Sequence, residues 1–126
     1  MNPKTSGIIA RLAAGEKVIN KEGGNSMTPL IKSNQPVTIE AVDTSKLEKG
    51  DIVYVKVKGR IYTHRVLAVR GMRPYEDGPI ERMQGSVQIG NNHGGVNGWA
   101  KMSNVYGIIT EIDGTPVGGV RGKVKS

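Results

Sequence analysis

Residues 51–70 read DIVYVKVKGRIYTHRVLAVR. Over 51–58 the side chains alternate. Val53, Val55 and Val57 fall on one side, and Tyr54, Lys56 and Lys58 on the other. A period of two is the signature of a β-strand. Gly59 turns the chain into Arg60–Arg70, a second run of β-formers, so the two segments predict one long β-hairpin. On its second arm His64 shares a face with Tyr62, Val66 and Ala68.

Outward from the hairpin the pattern persists. Val37–Val42 alternates through Val37, Ile39 and Ala41 and predicts a strand, and Ser45–Gly50 is a polar connection. Residues 5–14 predict a short amphipathic helix capped by Thr5 or Ser6. Ile8, Ile9, Leu12 and Ala13 share one face of it, and Gly15 stops it. A short strand at Lys17–Asn20 leads into the turn-rich Gly23–Ser26. Downstream, Gly71–Gly85 reads as a loop with Pro74 and Pro79, Ser86–Ile89 as a strand, and Gly90–Gly98 as a turn region before Trp99. Val105–Ile112 and Val117–Val120 read as strands, and Arg121–Ser126 as a frayed basic tail. Eighteen glycines between short apolar runs favour turns joining strands over long helices. The fold expected is mainly β: a single domain over residues 1–126, built as a barrel-like unit or as folded antiparallel sheets, with one short N-terminal helix.

Composition narrows the chemistry. With no cysteine, disulfides, thiolate metal sites and a cysteine nucleophile are excluded. The two histidines, His64 and His93, share no ligand spacing, so neither a metal nor another cofactor is expected. No apolar run approaches the ~20 residues of a membrane span, and Arg11 interrupts what would be a signal-peptide core. A soluble protein in the cytoplasm is therefore expected. The net charge of +7 suits a solvated basic surface or an acidic partner. The basic residues are scattered and aromatics are few, so nucleic acid is only a weakly supported partner.

Three segments can carry chemistry. Gly24-Asn25-Ser26-Met27-Thr28-Pro29 places a serine in a tight turn, where backbone N–H groups can hold an oxyanion. A serine there equally suits capping of a helical turn over Met27–Ile31. His64 offers an imidazole that is neutral at physiological pH, suited to taking a serine proton, or else simply a hydrogen-bonded strand histidine. Gln88–Gly95, followed by Asn97-Gly98-Trp99, supplies positive-φ turn residues and side-chain amides.

Taken together these segments resemble the signal peptidase and LexA-type repressor peptidase superfamily. The matching residues are Ser26-Met27-Thr28-Pro29, Gly50-Asp51-Ile52-Val53, His64-Arg65-Val66, Gly90-Asn91-Asn92 and Val105-Tyr106-Gly107, spanning about Gly23 to Ile112. His64-Arg65-Val66 is similar to the histidine-type members, and the Asn91–Trp99 run to short stand-alone bacterial and phage members. The resemblance implies Ser26 as nucleophile, with its own backbone N–H in the oxyanion hole, and His64 as general base. Gly24, Met27 and Pro29 would shape the turn, and Asp51 would open a strand. Asn91 stands where the histidine-type enzymes carry an acid. Asn91 or Asn92 would then orient the imidazole, and an amide cannot neutralise an imidazolium, which predicts weak catalysis. Gly24 replaces a hydroxyl that aids the oxyanion hole in some signal peptidases. Ala13-Ala14-Gly15-Glu16 resembles the self-cleavage site of LexA-like repressors, but only eleven residues separate Gly15 from Ser26, and a helix stop is the reading preferred. No DNA-binding helix-turn-helix precedes it, so a full repressor is not expected.

Two functions remain open on the sequence. One is a serine peptidase with a Ser26–His64 dyad acting on a peptide or protein. The other is a silent peptidase fold serving as a binding or structural module within a protein assembly, such as a phage capsid cement or other virion protein.

Overall fold

The computed structural model describes residues 3–70 and 85–117. The chain runs α1 (Pro3–Ala13), β1 (Val18–Asn20), β2 (Val37–Glu40), β3 (Ile52–Val57), β4 (Arg60–Arg70), β5 (Ser86–Gly90), β6 (Val96–Lys101), β7 (Val105–Ile112) and β8 (Thr115–Pro116). All strand pairings are antiparallel, in the order β1-β2-β7-β3-β4-β5-β6, with β8 paired to β7. The mainly β expectation holds. The eight strands form one folded sheet and do not close into a barrel.

The β3–β4 hairpin is the axis of the fold. It pairs in unbroken register from Ile52↔Arg65 to Val57↔Arg60, with Lys58 and Gly59 in positive φ at its turn. Tyr54 shares its side of the strand with Lys56, yet it is 1% exposed. The reason is that both faces of β3 are covered. On one, Ile52 and Tyr54 join Ile8 and Leu12 of α1, with Val18, Val37, Ile39 and Ile109. On the other, Val53, Val55 and Val57 meet Val66, Val87, Ile89, Ala100 and Met102 as the sheet folds over itself. Helix α1 buries Thr5, Ile8 and Leu12 (i, i+3, i+7). Ala13, placed on that face by the sequence, is exposed, because the chain leaves the helix there.

Two strand predictions need correction. β6 lies at Val96–Lys101, inside and beyond the stretch read as a turn region. The last short strand is Thr115–Pro116, and most of the predicted Val117–Val120 lies outside the described residues. So do residues 71–84 of the predicted loop and the 121–126 tail. Among the described residues no helix is long and apolar enough to cross a membrane.

Candidate active site

Ser26 sits in a turn between β1 and β2. Gly24 enters it at φ 109°, a left-handed conformation that disfavours a side chain. Thr28 N–H donates to the Asn25 carbonyl (3.2 Å) and Ile31 N–H to the Met27 carbonyl (3.0 Å). The backbone N–H groups of Ser26 and Met27 take no part in these bonds. Met27 is buried in the α1-side core and anchors the turn, and the Thr28–Pro29 peptide is cis. Ser26 itself is exposed.

His64 lies on β4 opposite Val53 and is 7% exposed. Its ring stacks on Tyr62, centroids 4.8 Å apart. Its Nε2 lies 3.0 Å from Ser26 Oγ, across 38 residues of chain. The serine hydroxyl therefore engages the imidazole and leaves the helical-turn capping role unfilled. His64 Nδ1 lies 2.7 Å from the side-chain oxygen of Asn97. An amide oxygen only accepts, so the ring proton sits on Nδ1 and Nε2 is free to receive the proton of Ser26. Burial pulls the imidazole pKa below the ordinary 6.5, outweighing the Asn97 hydrogen bond and the Glu22 charge, both of which push it up.

The side-chain amide that meets the imidazole is thus that of Asn97, not that of Asn91 or Asn92. Asn97 occupies a bulge: Gly90 pairs with Val96 and Ile89 with Gly98, leaving Asn97 without an opposite residue. A bulge re-aims its side chain, here toward His64. Asn91 and Asn92 perform a different task. Asn91 Oδ1 accepts from the N–H of His93 (2.8 Å) and Gly95 (2.9 Å), shaping the 90–95 turn. Asn92 latches that turn onto the serine turn. Its N–H donates to the Ser26 carbonyl (2.8 Å) and its side chain to the Thr28 carbonyl (3.0 Å), while Arg65 donates to its Oδ1 (3.0 Å). His93 Nε2 adds contacts to the Asn25 carbonyl (2.9 Å) and Thr28 Oγ1 (3.0 Å).

Beside Ser26 is a small hollow of about 40 Å³, lined by Gly24, Ser26, Met27, Ile31, Val37 and Thr63 among others. Asp51 is buried just before β3, where its Oδ2 accepts from Glu48 N–H (2.8 Å), a structural role. Compared with known proteins, the chain matches no family model, no curated protein and no solved structure.

Proposed function

We propose that this protein is a serine peptidase in which Ser26, His64 and Asn97 act as nucleophile, general base and orienting group. The observation that carries the reading is the continuous relay from Ser26 Oγ to His64 Nε2 (3.0 Å) and from His64 Nδ1 to Asn97 Oδ1 (2.7 Å). Burial supports it further by keeping the imidazole neutral and ready to accept a proton. The resemblance to the signal peptidase and LexA-type superfamily points to the same residues.

In this mechanism Ser26 Oγ attacks the scissile carbonyl carbon as its proton passes to His64 Nε2. The negative charge on the carbonyl oxygen faces the backbone N–H groups of the serine turn. The imidazolium then protonates the departing amine as the C–N bond breaks, leaving an acyl-Ser26 ester. Water, deprotonated by the same imidazole, hydrolyses the ester. Asn97 fixes the tautomer but carries no charge to balance the imidazolium, so turnover is slow relative to a triad with a carboxylate.

Labelling with a fluorophosphonate tests this. Covalent modification at Ser26 that is lost in Ser26→Ala and His64→Gln is the expected result. An intact, folded protein with unreactive Ser26 overturns it. The amide in place of a carboxylate favours one second reading, a silent fold used as a binding module. Stable association with a large protein assembly, unchanged by Ser26→Ala, is its signature.

A further inference from the structure

Next to the serine turn, reached at Gly23, is an open cleft of about 660 Å³. Its floor is the α1-side face of the hairpin, where Tyr54 pairs with Thr63 and Lys56 with Ile61. Its wall is the segment from Asn20 to Gly23, with Lys4 and Thr5 of α1 above. Lys4 Nζ donates to the Lys21 carbonyl (3.1 Å) and ties helix to wall. Glu22 and Gly23 line both this cleft and the hollow that holds Ser26 and Thr63, so the two spaces adjoin.

The lining charge is lopsided. Lys4, Lys21, Lys56 and Arg60 face one carboxylate, Glu22, whose Oε2 already accepts from Asn20 Nδ2 (3.1 Å). Among the described residues the one ion pair is Arg11–Glu16, outside the cleft. The four cations thus carry no carboxylate within ion-pair distance, and a concave wall concentrates their field.

We propose that this cleft selects peptides bearing carboxylates to one side of the scissile bond; the proposal rests on the peptidase reading above. An extended peptide advances ~3.4 Å per residue, so two residues span one same-face step of the hairpin. A side chain about two residues from the reacting carbonyl at Ser26 comes level with Lys56, and one about four residues away reaches the turn at Arg60. The aromatic ring in the cleft, Tyr54, is buried and offers no stacking face for a base, which favours a peptide over nucleic acid.

The test uses Ser26→Ala protein, which binds without turning over. A fluorescein-labelled Glu-rich decapeptide should bind about tenfold tighter than its Gln counterpart, and the difference should shrink as salt rises. Lys56→Gln with Arg60→Gln should abolish the preference, and Lys56→Glu with Arg60→Glu should turn it toward a Lys-rich decapeptide, with circular dichroism confirming the fold. Equal affinity for the Glu and Gln peptides overturns the proposal, as does oligothymidylate binding as tightly as the Glu peptide. Fluorophosphonate labelling of the wild-type protein separates the two readings. A reactive Ser26 without charge preference sinks the cleft proposal alone. An unreactive Ser26 with acidic-peptide binding sinks the peptidase reading, and substrate selection with it.

Discussion

At His64 burial and hydrogen bonding pull the pKa in opposite directions, and burial prevails, so the imidazole stays neutral to lower pH than a free histidine does. The rate of peptide cleavage, read as kcat/KM, should rise with pH through a midpoint under 6.5, because only the neutral ring accepts the Ser26 proton. Stability follows the same group. The unfolded chain takes up the proton more readily than the native one, so stability is fully present above 6.5 and declines as pH falls through the ordinary histidine range toward the lower native value. Asn97→Ala removes a hydrogen bond that becomes charge-assisted, worth ~1.5–3 kcal/mol, once the imidazolium forms. It should lower kcat/KM roughly ten- to a hundredfold. Asn97→Asp should raise kcat/KM above that of the wild type and move the acidic limb of the pH profile upward, since a carboxylate favours the imidazolium. An unmoved limb in Asn97→Asp would show that Asn97 does not act through His64. Ser26 and His64 were legible in the sequence because the motifs around each fit a joint pattern. Asn97 was not, because its role arises from a one-residue bulge that no period-of-two reading registers.

Among the elements, the 90–95 turn is the brace of the serine turn, held by Asn92 on both backbone and side-chain contacts. Asn92→Ala should cost ~1–2 kcal/mol of stability for the lost hydrogen bonds. It should lower kcat/KM by more than thermal melting suggests, because the serine turn loses its side-chain tether at the Thr28 carbonyl. Comparing Tm with kcat/KM checks this. The brace also explains a glycine. A Cβ on Gly90 would stand 2.4 Å from the Gly95 carbonyl oxygen and 2.5 Å from Leu67 Cδ1, so Gly90→Ala should open the turn. The second arm of the hairpin and β7 matched their predicted bounds at Arg60–Arg70 and Val105–Ile112, runs rich in β-branched residues and without proline. β6 was missed because Asn97 and Gly98 interrupt apolar alternation at its start, where polar side chain and glycine serve the site and not the core.

Across the whole molecule, β3 belongs to two apolar clusters at once. Truncating either face should therefore destabilise the entire chain. Ile52→Ala and Val53→Ala are each expected to lower stability by ~1–4 kcal/mol in urea titrations, with unchanged single transitions. Two separate transitions would show that the clusters unfold independently. The sequence signalled a β-rich chain from its glycines and short runs, but not that the hairpin would be sandwiched. A polar-looking face, Tyr54-Lys56-Lys58, hides the burial of Tyr54 beneath α1: Lys56 lines the open cleft, and Lys58, in the turn, lies beside Gly98 of β6.

Among the described residues, β6 has a hydrogen-bonded neighbour on one side only. The outermost rung of a ladder frays before its middle, by small thermal openings that leave the rest intact. The amide that steers the base hangs from that rung. On gentle warming the relay should come unhooked while the interior is still solid, so that heat inactivation runs ahead of melting and reverses on cooling.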